Sequence, residues 1–95
     1  MQTGITTRQL LAAPDGAIYI WVGAAMAYPR ALAKKLGRDD IRVVPASWLV
    51  SKDRFIDVDS ATHIVLDHGL LLTQSLRQGL EEVHAYIKAR RNHNG

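Results

Sequence analysis

Six consecutive apolar residues, Ala17-Ile18-Tyr19-Ile20-Trp21-Val22, closed by Gly23, constrain this chain more than any other feature of it. β-branched and aromatic side chains dominate the run, and the apolar/polar alternation of a half-buried strand is missing. Such a segment satisfies both of its faces only between two covering layers, the position of a central strand in a parallel α/β sheet. Pro14-Asp15-Gly16, directly before it, supplies the turn that feeds the strand.

The period then changes. Tyr28, Leu32 and Leu36 recur at helical spacing, Pro29 suits the first turn, and Gly37 suits the stop. Ile41-Arg42-Val43-Val44 reads as a second strand whose ladder Pro45 limits. Strand, helix and strand in this order predict a βαβ unit with parallel strands and a right-handed crossover. His63-Ile64-Val65-Leu66-Asp67 reads as a third strand, and Thr73 caps a long helix with Leu76, Leu80, Val83 and Ile87 on one face. A short N-terminal helix over Arg8–Ala13 takes its cap from Thr6 or Thr7. Residues 48–61 show no clean period and are expected as an ordered loop, with a fourth, short edge strand as the alternative. The expected fold is therefore α/β: a small, mainly parallel, Rossmann-like sheet with two principal helices and a short N-terminal one.

At 95 residues the chain is expected to form a single domain over residues 1–95, with 92–95 as a frayed end. Its 47% hydrophobic and 22% charged residues match an ordinary globular composition. A core this small leaves homo-oligomerisation as a natural supplement to stability. The absence of cysteine excludes disulfides, thiolate metal sites and cysteine nucleophiles. The longest nearly apolar run, Ala17–Tyr28, falls short of the ~20 residues that span a bilayer. The first residues do not read as a signal peptide, so no membrane partner and a cytoplasmic location are expected.

Parallel sheets place ligands beyond the carboxyl ends of their strands. Here those ends carry Gly23 and Ala24 after the first strand, Ser47 and Trp48 after the second, and Asp67 and His68 after the third. Small residues leading into a helix let backbone amides approach an anion, although the same residues also serve helix-on-sheet packing. Asp67 and His68 are the pair suited to general acid/base chemistry, or else Asp67 simply caps the loop at Gly69-Leu70. Arg30, Lys34 and Arg38, with Lys35 beside them, form a basic stripe on a helix without acids. Residues 1–47 hold six basic and three acidic residues, whereas 48–95 hold six of each. That asymmetry suits phosphates of a nucleic acid or an acidic protein. The histidines lack metal-ligand spacing, and no phosphate loop or nucleophile elbow is present, so neither a metal nor a cofactor is expected.

Several segments resemble known families. Ile64-Val65-Leu66-Asp67-His68 is similar to the acidic strand that holds magnesium in P-loop NTPases, but the companion Gly-x-x-x-x-Gly-Lys-Ser/Thr is missing. Ile18-Tyr19-Ile20 and His63-Ile64-Val65-Leu66, followed by Ser75, Gly79, Glu82 and Ala85, resemble nucleoside 2-deoxyribosyltransferase-like proteins. That likeness implies a nucleophilic carboxylate role for Glu82. Val44-Pro45-Ala46-Ser47-Trp48-Leu49 is reminiscent of BRCT modules, yet here a strand and a long helix follow the tryptophan. As a whole the chain resembles small uncharacterised α/β proteins encoded by bacteriophages.

Two functions fit these residues. One is a non-catalytic binding or regulatory module using the strand-tip crevice and the basic helix face. The other is a small enzyme in which Asp67 and His68 act on a phosphoester or N-glycosidic bond.

Overall fold

The computed structural model describes residues 3–23 and 25–94. It is an α/β structure whose contacts group into two compact units, one formed by the chain up to Ala46 with His63–Leu70, the other by Ser47–Thr62 with the chain from Leu71 onward.

The first unit contains α1 (Thr3–Ala12), β1 (Ile18–Trp21), α2 (Ala27–Lys35), β2 (Arg42–Pro45) and β3 (Ile64–Leu66). The three strands form one sheet in the order β2-β1-β3, with both pairings parallel. Tyr19 stands opposite Val43 on one side and Val65 on the other, so β1 is the central strand that its unbroken apolar run predicts. Ala17, Tyr19, Ile41 and Val43 pack with Leu10 and Ala13 at the end of α1 and with Ala33 of α2. Ile18 and Ile20, whose side chains leave the opposite face, are buried as well.

Three local features differ from the sequence reading. α1 begins at Thr3, ahead of the expected start, so Thr6 and Thr7 are interior positions instead of caps. Thr6 is buried, and its hydroxyl is used elsewhere in the unit. In α2 the fully buried position is Pro29, with Ala33 beside it, while Tyr28 is exposed. The large residues at i, i+4, i+8 marked the helix; the small ones mark the side that lies closest to the core. Residues 46–57 supply no fourth strand, forming instead the 3₁₀ helices Ala46–Val50 and Arg54–Asp57. Such short tight turns have no apolar period long enough to read from sequence.

The end of α2 follows the expected chemistry. Gly37 takes φ +75°, its N–H donates to the Lys34 carbonyl, and the Arg38 N–H donates to the Ala33 carbonyl. Together these bonds satisfy carbonyls that the helix itself leaves open.

In the second unit α3 (Gln74–Asn94) is capped by Thr73, whose Oγ1 accepts from the Leu76 N–H at 3.3 Å. Gly79, Val83 and Ile87 form its buried face, and Leu49 is fully buried. Gly79 permits a close approach: a Cβ there would run into the Leu49 carbonyl. Phe55 packs against Tyr86 with ring centroids 4.9 Å apart and the planes tilted by 36°, and Arg91 Nε donates to the Ser60 carbonyl at 2.8 Å. Among the described residues no helix is long and apolar enough to cross a membrane.

Candidate functional site

All three strands run the same way, so their carboxyl ends share one border of the sheet. The tips of β1 and β3 are immediate neighbours there: a Cβ on Gly69 would stand 3.9 Å from Val22 Cγ1 and 3.6 Å from Asp67 Oδ2. Gly23 and Asp67 therefore lie on a common border, as the parallel reading requires. Ala24 lies outside the described residues, and Ser47 and Trp48 belong to the second unit. Ser47 is exposed, whereas Trp48 is buried and donates its Nε1–H to Asp57 Oδ2 at 3.3 Å.

Asp67 is 4% exposed and its oxygens are engaged. The Tyr19 hydroxyl donates to Oδ1 at 2.6 Å, the Thr6 hydroxyl approaches the same oxygen at 3.4 Å, and the Gly69 N–H donates to Oδ2 at 3.3 Å. Gln9 extends the network. Its Nε2 donates to the Leu66 carbonyl at 2.9 Å, and its Oε1 accepts the His68 N–H at 2.9 Å. Burial, then the Asp67 hydrogen bond and charge, push the Tyr19 phenol far above its ordinary range, so it stays a neutral donor. The aspartate thus ties the loop at Gly69-Leu70, while the His68 backbone is held by Gln9 and its side chain is left at the surface.

Sequence reading singled out Asp67 but not the groups that hold it. Two signals were available. A phenol within an aliphatic central strand needs a buried partner, and Thr6 and Gln9 stand three apart, on one side of α1.

Gly23 is explained by its neighbour. A Cβ there would lie 3.0 Å from Trp21 Nε1, so the glycine makes room for the indole. The Trp21 ring also meets exposed Tyr28 at 5.9 Å. Beyond Gly23 the chain enters α2 through Met26, which makes no side-chain cap, and no acid occupies the first turn. The Ala27 and Tyr28 N–H groups, at the head of the helix, have no acceptor within it.

The basic stripe divides. Arg38 is a clamp: its Nη1 donates to the carbonyls of Leu10 at 2.7 Å and Leu11 at 3.2 Å. Its Nη2 donates to those of Ala13 at 2.8 Å and Pro14 at 3.2 Å. Asp40 completes the arrangement by accepting from Arg38 Nε and from the Gly16 N–H. The Arg38 hydrogen bond, followed by the Gly16 N–H, lowers the Asp40 carboxyl to about 2. Arg30 bends to the outer edge of β2, donating to the Val43 carbonyl at 3.3 Å. Lys34 and Lys35 are exposed to solvent.

Among the described residues no group of three or more His, Asp or Glu side chains is placed to hold a metal ion. No family model, curated protein or solved structure matches the chain.

Proposed function

We propose that this chain is a binding or regulatory module that receives a phosphate-bearing ligand at the carboxyl border of its sheet, beside the start of α2. The observation that carries the reading is the open head of α2. It follows the central strand directly, has neither a side-chain cap nor an acid in its first turn, and so offers amide donors and positive dipole to an anion. Lys34 and Lys35, about two turns further on in the last turn of α2, supply exposed charge that only a longer polyanion such as a nucleic acid could reach from the head of the helix. The +3 balance of the first 47 residues points the same way.

Binding is favoured over turnover by the state of Asp67. A general acid or magnesium ligand needs an oxygen free to meet substrate. Here Tyr19, Thr6 and Gly69 already engage both oxygens of a buried carboxylate.

The test is calorimetric titration at low salt with inorganic phosphate, a nucleoside monophosphate, a short single-stranded oligonucleotide and an acidic peptide. Phosphate-bearing probes are expected to bind, and Lys34→Glu/Lys35→Glu to weaken the oligonucleotide severalfold more than the monophosphate. A preference for the acidic peptide would move the reading to a protein partner. No binding of any phosphate probe would overturn it.

A further inference from the structure

The second unit holds an arrangement that the α2 site does not use. A cavity of about 260 Å³ is lined by Leu49, Arg54, Ser75, Gln78, Gly79 and Glu82, among others. Arg54 is only 8% exposed, yet its Nε is a buried donor with no hydrogen-bond partner. The rest of the guanidinium is satisfied: Nη1 donates to the Ser51 carbonyl at 2.6 Å and Nη2 to Glu82 Oε1 at 2.5 Å. Its plane is also held, with Cζ 4.3 Å from the centre of the Phe55 ring.

Nε and Nη2 form the side edge of a guanidinium, the edge that takes two oxygens of one carboxylate or phosphate. In this protein Glu82 uses half of that edge and leaves the other half unsatisfied. A buried donor without a partner is costly, and native proteins keep few of them. Glu82 itself is half exposed, with Gln78 Nε2 3.5 Å from its other oxygen, so it can leave toward solvent without crossing packed structure. Ser75 and Gln78 add polar groups to the cavity wall from the opening turns of α3, whose first turn has no acid. These residues lie along one flank of α3, so its first two turns form one wall of the space.

We infer that Arg54, Ser75 and Gln78 form a second anion site, for a small ligand carrying a carboxylate or phosphate group, and that Glu82 is its built-in occupant. A ligand oxyanion displaces Glu82, bonds to Nε and Nη2 together, and exchanges one charge-assisted hydrogen bond for two. Glu82 sets the threshold: only an anion able to use both donors competes with a carboxylate already in place.

The decisive experiment follows the Arg54 Nε–H resonance of the full chain during titration with acetate and, separately, inorganic phosphate. Wild type should bind weakly. Glu82→Gln, which removes the competing charge while keeping the side-chain size, should bind at least about fivefold more tightly. In both, Nε–H should move downfield and saturate. Arg54→Lys keeps the charge but lacks the paired donors, and should not bind. Tighter binding of acetate would identify a carboxylate ligand, and tighter binding of phosphate a phosphoryl one. An Nε–H signal in Glu82→Gln that responds to neither anion would overturn the proposal even if Arg54→Lys fails to fold. So would equal affinity in wild type and Glu82→Gln.

Discussion

The phenol of Tyr19, at the centre of β1, donates to the carboxylate of Asp67 at the tip of β3 across 2.6 Å, and both groups are buried. That bond joins the middle of the sheet to the border where its strands end, and Thr6 brings α1 into the same contact. Tyr19→Phe removes the donor and keeps the ring. It leaves a buried carboxylate short of a partner, and should lower unfolding free energy in urea by about 1–3 kcal/mol. Asp67→Asn should recover part of this loss in the Tyr19→Phe background, because a neutral amide tolerates the missing bond better.

Tyr19 also sets an alkaline limit. Its folded pKa is raised by burial and by Asp67, so the folded state holds its proton where the unfolded chain releases it. The stabilisation is fully present below about pH 10, the ordinary tyrosine value, and declines as pH rises beyond it. Denaturation curves between pH 9 and 11.5 should show this falling slope in wild type and a shallower one in Tyr19→Phe.

Arg38 gives an acid counterpart. Asp40, lowered to about 2 by Arg38 and the Gly16 N–H, stabilises the fold above the unfolded carboxylate range and stops doing so as pH falls through about 2. Arg38→Ala should weaken this dependence, leaving the part that the Gly16 N–H supplies, and cause the largest drop in melting temperature among the four basic residues Arg30, Lys34, Lys35 and Arg38. Arg38→Lys should rescue little, because one ammonium cannot reach four carbonyls and a carboxylate. Lys34→Ala should change the melting temperature little.

The elements were legible wherever a period ran long enough. The unbroken run at β1, the spacing of Leu76, Leu80, Val83 and Ile87, and the glycine stop at Gly37 all reappear in the structure. Residues 46–57 were not legible, because turns of four or five residues are set by tertiary contacts such as Trp48 to Asp57 and Arg54 to Glu82. The basic stripe shows a different limit. Helical spacing would place Arg30 and Arg38 beside Lys34, but α2 ends at Lys35 and the Gly37 turn carries Arg38 off the helix, and both arginines reach free backbone carbonyls. Which carbonyls are free depends on where α1 ends and which strand lies at the edge.

Two such carbonyls explain how the small sheet is protected. Val43 and Leu66 lie on the two outer strands, and their carbonyls are taken by Arg30 and Gln9. Open strand edges invite pairing with other chains, and covering them discourages it. Arg30→Ala together with Gln9→Ala should therefore increase the mass measured by light scattering at high protein concentration, relative to wild type.

Glycine positions separate packing from backbone effects. Gly79→Ala drives a methyl into the Leu49 carbonyl, which is backbone and cannot swing aside, and should cost about 1–3 kcal/mol. Gly4→Ala meets nothing within 4 Å and should stabilise α1 by a few tenths to about 1 kcal/mol.

The most direct test of the binding account is an amide-resolved NMR titration of the protein with a nucleoside monophosphate at low salt. The account predicts saturable shifts centred on the Ala27 and Tyr28 amides, with Gly23 and Gly69 next in size. Shifts that leave Ala27 and Tyr28 unmoved while appearing elsewhere, or no saturable shifts at all, would contradict it.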